Sequence, residues 1–299
     1  MSLGTNRLCC AYAKAGSGKT SDMIYAVPYG HYIGPPNSTA PAETTVGVHL
    51  DDDVVFVAHD LDDAVIALEY VAEQKASGAC DERTGVLVDD ISVMSRNWLI
   101  KNEGKYGNIW DMWRDHQTQV FKIVDIAEHI DDIVCFTAHE QLYNDKKGLK
   151  GGPKFASGNV TEPFCGPFHE MLRVVRDPKA LTEFQAAYEC KGIGDPFMIT
   201  KARCGMGSTK GPCNLAEMLR AAGLQIPRHP DHDWIEEWAQ IVFEELQAGG
   251  EKQRVKILDR YHEALRKEGI EPLLIRWVLR DGLHRWIIRG SYREQASRP

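Results

Sequence analysis

Short apolar runs alternate with longer segments of helical period along the first two-thirds of the chain, which predicts strands alternating with helices in a mainly parallel α/β sheet. Asn6 to Tyr12, Val54 to Ala58, Gly85 to Val88, Ile133 to Ala138, Met171 to Val175 and Pro196 to Thr200 are the strand candidates, with a brief Tyr32-Ile33 strand in a Pro/Gly-rich stretch over 28–41. Helical periodicity covers Ser21 to Val27, Ala64 to Lys75 with Asp60 or Asp62 as its cap, Trp110 to Thr118, Val120 to His129, and Asn214 to Ala222. The stretch Asp145 to Gly158 is polar and glycine-rich and reads as a loop or hairpin. Beyond a Pro-containing linker at 226–230 the pattern becomes helical, over Trp234 to Gln247 and Glu251 to Lys267, and Leu273 to Ile288 reads as helix, hairpin or both. The expected organisation is an α/β domain over 1–225 followed by a C-terminal, mostly helical region over 230–299, with no internal repeat.

One segment gives this pattern a chemistry. Ala13-Lys14-Ala15-Gly16-Ser17-Gly18-Lys19-Thr20 follows the first strand and opens the first helix, and it departs from the Walker A pattern G-x-x-x-x-G-K-[ST] only in its leading Ala13. Ala15, Gly16, Ser17, Gly18, Lys19 and Thr20 form the expected phosphate cradle. The glycines let backbone N–H groups turn toward phosphate oxygens, and the helix N-terminus adds its own amides and positive dipole end. Lys19 would reach the terminal phosphates and Thr20 would bind Mg²⁺ through its hydroxyl. A glycine-rich surface turn ahead of a helix is the plain alternative.

In open α/β sheets ligands sit beyond the carboxyl ends of the strands, so other strand ends supply the remaining candidates. Val86-Leu87-Val88-Asp89-Asp90 has the form of a Walker B element, with Asp89 expected at Mg²⁺ and Asp90 either as a second contact there or as the cap of the following helix. Thr137 or His139 can sense the γ-phosphate, and Glu140-Gln141 can pass that signal into the next loop. Asp60, Asp62 and Glu140 are the candidate water-activating carboxylates, and none stands out. Lys201 and Arg203 either neutralise transition-state charge, in their own site or a neighbouring subunit's, or are solvated.

Composition narrows the class. A chain of 299 residues supports one or two domains, contains no run of 18 apolar residues, and starts without a signal-peptide pattern, so a cytoplasmic protein without a membrane span is expected. Eight cysteines are dispersed with no CxxC pair, which fits reduced thiols better than a disulfide or zinc framework. The net charge of −8 argues against nucleic acid coating the whole surface. From 251 to 299, however, 12 Lys/Arg stand against 7 Asp/Glu, a locally basic region suited to DNA, RNA or an acidic neighbour, or to scattered ion pairs on a solvated helix.

The combination of Ala11 to Thr20, Val86 to Ser92, Phe136 to Glu140, Leu172 to Val175 and Thr200 to Arg203 resembles the RecA-like phage nucleotide-binding proteins, which include short ATPases of single-strand annealing and recombination. The resemblance covers about two-thirds of the chain and implies a RecA-like core, ATP and Mg²⁺ as ligands, DNA, especially single-stranded DNA, as partner, and assembly into a homo-oligomer. A phage protein of this kind would work in the host cytoplasm. Ala13, the Pro/Gly-rich stretch after the first helix and the C-terminal region depart from that pattern. The readings in competition are an ATPase acting in DNA metabolism, a non-hydrolysing module gated by nucleotide, a small-molecule kinase and a DNA-packaging motor.

Overall fold

A computed structural model describes residues 7–27, 30–38, 55–79, 85–145, 148–156, 158–176, 186–189, 197–202, 211–212, 231–270, 274–283 and 286. Ten strands run β1 (Arg7–Ala13), β2 (His31–Gly34), β3 (Val55–Val57), β4 (Val86–Val88), β5 (Ile133–Asp145), β6 (Gly148–Pro153), β7 (Glu170–Arg176), β8 (Ala186–Glu189), β9 (Lys201–Ala202) and β10 (Gly211–Pro212). The first five helices are α1 (Lys19–Ala26), α2 (Leu61–Ser77), α3 (Ile91–Asn102), α4 (Ile109–Glu128) and α5 (Gly158–Cys165).

The sheet order is β10-β8-β7-β1-β5-β4-β2-β3, with β6 added to β5 and β9 to β7. From β7 to β3 every pairing is parallel. The strand that feeds the glycine loop, β1, is separated from the Asp89 strand, β4, by β5 alone, and β2 and β3 continue the sheet beyond β4. This is the mainly parallel α/β core that the hydrophobic pattern predicts. At the other edge β8, β9 and β10 run antiparallel, a feature with little sequence signal because two of them span only two residues each.

Apolar runs on both faces explain the burial. Leu8, Cys10 and Tyr12 point into a layer with α2, α3, α4 and α5, whereas Cys9, Ala11 and Ala13 face α1 and the C-terminal helices. Cys9, Cys10, Cys135 and Cys165 are buried free thiols, consistent with small core hydrophobes.

Several boundaries differ from expectation. α4 is one helix where two were expected: nothing between Thr118 and Val120 breaks it, and Val120, Ile123, Val124 and Ala127 form a single buried stripe. β5 continues seven residues past Ala138 into an antiparallel hairpin with β6, so of the two readings of 145–158, loop or hairpin, the hairpin holds, and its first strand starts earlier than the apolar pattern indicates. The expected strand at 196–200 reduces, in its described part, to one bridge from Met198 to Gly151, and the ladder to β7 begins at Lys201. The helix expected at 214–222 and the linker at 226–230 lie outside the described residues.

The C-terminal region is helical in its described part: His232–Gly249, a short 3₁₀ turn over Glu251–Gln253, Arg254–Lys267, and a helix over 274–283. Ile235, Val242, Leu246, Ile257, Ile275 and Trp277 belong to the same buried cluster as Met23 and Ile24 of α1 and Val27 just after it. The helix that follows the glycine loop is therefore enclosed between the sheet and this helical layer. Among the described residues no helix is long and apolar enough to cross a membrane.

Candidate nucleotide site

β1 delivers the chain to Lys14, and the turn that follows needs Gly16 and Gly18 in the left-handed region, at φ 72° and 87°. Gly18 is the N-cap of α1 and brings no side chain to that helix end. Inside the loop Ser17 is 4% exposed, and its Oγ has no hydrogen-bond partner among the described residues. A glycine loop on an uncapped helix end, with an orphaned buried hydroxyl, has the character of an anion cradle.

Lys19 is buried and lies 3.4 Å from Asp90 Oδ2. Thr20 Oγ1 donates to Asp89 Oδ1 at 2.9 Å, and Thr137 Oγ1 from β5 donates a short hydrogen bond to the same oxygen. Burial and the adjacent Asp90 charge push the Asp89 carboxyl up to about 6, against the opposing pull of Thr137, Lys19 and Thr20. Such a group gains most from a cation. Thr20 hydroxyl and Asp89 carboxylate are hard oxygen donors, and a site that completes its shell with phosphate oxygens and water fits Mg²⁺.

Of its two expected roles Asp90 takes the cap, and its second oxygen turns to neighbouring side chains. Its Oδ1 accepts from Ser92 N at 2.8 Å and caps α3, while Oδ2 faces Lys19 and also His139 Nε2, at 3.2 Å. Burial lowers the imidazole of His139 below its ordinary range, only partly offset by Asp90. The backbone N–H of His139 donates to Ser92 Oγ at 2.9 Å, which ties the end of β5 to the start of α3. Ser92 was not singled out by sequence, although its place directly after Asp89-Asp90-Ile91 was the available signal.

Glu140 lies elsewhere. Its two oxygens accept from Arg173 Nε and Nη2 at 2.9 and 3.1 Å, a two-pronged clamp between β5 and β7. Arg173 interrupts the apolar run Leu172 to Val175, the one hint in the sequence that β7 carries a charged contact inward from the sheet edge. Asp60 caps α2 through Asp62 N and Asp63 N and pairs with Lys101 at 2.8 Å. Asp62 accepts from Trp98 Nε1 and also meets Lys101. Both follow β3, four strands from β1 or about 19 Å across the sheet. The three expected base candidates are thus engaged in structural contacts. Lys201 Nζ donates to the carbonyls of Cys165 and Gly166, at 2.6 and 2.7 Å, which anchors the end of α5. Arg203 lies outside the described residues.

β2 ends beside Asp89 in Gly34, followed by Pro35 to Ser38. A Cβ at Gly34 would stand 1.8 Å from the Asp89 carbonyl oxygen and 2.5 Å from Ser38 Oγ. This close approach places the Ser38 hydroxyl at the strand end next to the Asp89 strand.

No protein-family model matches the chain, and no curated protein matches it. Among solved structures it is similar to a KaiC-like protein from the hyperthermophilic archaeon Pyrococcus horikoshii, at 10% identity over 70% of this chain and 88% of that chain, with a TM-score of 0.42.

Proposed function

We propose that the chain is a Mg²⁺-dependent ATPase of DNA metabolism, of the kind that serves phage recombination, in which nucleotide state is passed to single-stranded DNA by the β5–β6 hairpin. The observation that carries this reading is the convergence of Lys19, Thr20, Asp89, Asp90, Thr137 and His139 at the carboxyl ends of three parallel strands.

The glycine loop and Lys19 bind and orient the triphosphate. Thr20 and Asp89 would hold Mg²⁺, which when bound supplies positive charge to the β- and γ-phosphate oxygens. Lys19 exchanges its contact with Asp90 for the phosphates, leaving Asp90 Oδ2 to His139. With Nε2–H donated to Asp90, His139 keeps a lone pair on Nδ1, and burial holds the ring neutral. His139 is therefore the group assigned to orient the attacking water and accept its proton. The new bond is from water oxygen to the γ-phosphorus, the bond to the β–γ bridging oxygen breaks, and ADP and inorganic phosphate leave. Loss of the γ-phosphate frees the end of β5, which continues without interruption into the hairpin. Subunits of a homo-oligomer would share the DNA.

A second reading, a non-hydrolysing module gated by nucleotide, is favoured by one observation: Asp60, Asp62 and Glu140 are all held in other contacts. ATP hydrolysis by wild type, Lys19→Ala and Asp89→Asn, with and without single-stranded DNA, separates the two. DNA-stimulated turnover lost in both variants supports the ATPase. Nucleotide binding without turnover in any condition selects the gated module, and no binding at all overturns both.

A further inference from the structure

The turn that follows β2 is specified residue by residue. Pro36 fixes its own φ at about −65°, and Asn37 takes a left-handed φ of 66°, the combination of a type II turn. Ser38 N closes that turn on Pro35 O at 3.0 Å. Its base is fastened to the strands on both sides: Asp89 N donates to Ile33 O and Ala58 N donates to Gly34 O, each at 2.8 Å. Gly34 removes the one obstacle, since a Cβ there would stand between the Asp89 carbonyl oxygen and Ser38 Oγ, in contact with both. A proline, a left-handed asparagine and a glycine thus hold the Ser38 hydroxyl at the carboxyl end of the Asp89 strand.

Ser38, Thr20 and Asp89 line one small cavity of about 10 Å³, room for a single water-sized species. Ile24, Ile33 and Leu87 supply apolar wall around it. Thr20 and Thr137 both donate to Asp89 Oδ1, while among the described residues Oδ2 accepts no hydrogen bond and Ser38 Oγ makes none. A carboxylate and two hydroxyls around a space of that size are a hard-oxygen set suited to a small cation and its water. Ser38 adds a neutral oxygen there, and so a donor that brings no further negative charge beside Asp89 and Asp90. We infer that Ser38 is a third protein oxygen at the metal: its hydroxyl holds the coordination shell of the cation that Thr20 and Asp89 carry. This rests on the nucleotide-binding reading above and adds to it a metal contact from the turn after β2.

Metal and nucleotide can be read separately. Titration calorimetry of ADP into full-length wild type, S38A and S38T, in excess Mg²⁺ and again in EDTA, gives the gain in ADP affinity that the metal confers on each. S38A should cut that gain about tenfold while ADP affinity in EDTA stays at the wild-type value, and S38T, which keeps the hydroxyl, should restore the gain to within about threefold. A purely structural Ser38 would lower ADP affinity equally in both conditions. That result overturns the inference, as does a wild-type gain in S38A, or a gain in S38T no better than in S38A. Wild type that binds ADP equally well with and without Mg²⁺ overturns it too, and leaves nucleotide binding standing. Wild type that binds ADP in neither condition overturns the nucleotide reading itself, and this inference with it.

Discussion

Asp89 is held against its own preference. Its carboxyl, pushed up to about 6 by burial and by Asp90, titrates in the folded protein above the ordinary carboxylate value of 3.8. A raised folded value means the native state binds the extra proton, so the stabilisation tied to that proton is complete below about 3.8 and is lost as pH rises through 6. At pH 7 the ionised group therefore destabilises the metal-free protein, by an upper bound of about 3 kcal/mol for a shift of this size. Asp89→Asn keeps an oxygen acceptor for Thr20 and Thr137 and removes the charge, so it should raise the thermal midpoint of the metal-free protein at pH 7 by several degrees, while abolishing Mg²⁺-dependent nucleotide binding. A midpoint equal to or below that of wild type would show that the charge is not strained. The same group sets a pH limit on the metal: because the carboxylate must be free of its proton to bind a cation, Mg²⁺ affinity should fall as pH drops below about 6, checked by Mg²⁺ titration at pH 5.5 and 7.5.

At the scale of elements, the close approach of β2 to β4 is a constraint with a clear test. Gly34→Ala would put a methyl group 1.8 Å from the Asp89 carbonyl oxygen, and backbone has no room to yield as a side chain would. The variant should lose roughly 1–3 kcal/mol or more of stability and shift Asp89 away from Thr20, which denaturant unfolding and Mg²⁺ affinity would read together. An unchanged midpoint would mean that β2 moves freely relative to β4. That approach was invisible in the sequence, where Gly34 read as one more residue of a Pro/Gly-rich stretch. The glycine loop was legible for the opposite reason: its strand, positive-φ glycines and helix start are contiguous, and local order alone specifies them. Asp89-Asp90 was legible because two acids close a fully apolar run. The hairpin was half legible, since the apolar pattern of β5 ends at Ala138 while the strand itself continues through polar residues to Asp145. Side-chain contacts such as Glu140 with Arg173 join β5 to β7 across β1, a proximity that appears only once the sheet order is known.

At the scale of the whole molecule, the composition shift near residue 230 suggested a separate region, and the packing shows how closely its described helices are bound to the core. Met23 and Ile24 of α1 and Val27 just after it share one buried cluster with Ile235, Val242, Leu246 and Trp277, and Asp22 with Arg280 adds a buried ion pair across the same contact. Helices that bury each other's apolar faces and a paired charge cannot separate without exposing both, and removal of one charge from such a pair costs several kcal/mol. Pairing across 258 residues also means that the contact forms only when both ends of the chain are folded. The tryptophans make this measurable. Trp98 and Trp113 report on the α3–α4 side, and Trp234, Trp238 and Trp277 on the C-terminal helices. Thermal or urea unfolding followed by tryptophan fluorescence, in variants that retain only one of the two sets, should give midpoints that coincide with each other and with far-ultraviolet circular dichroism. Midpoints that separate, with the C-terminal set melting first, would instead mark those helices as an independently folding unit. In that case α1 would lose one wall of its enclosure before the sheet unfolds, and nucleotide should protect the C-terminal set least.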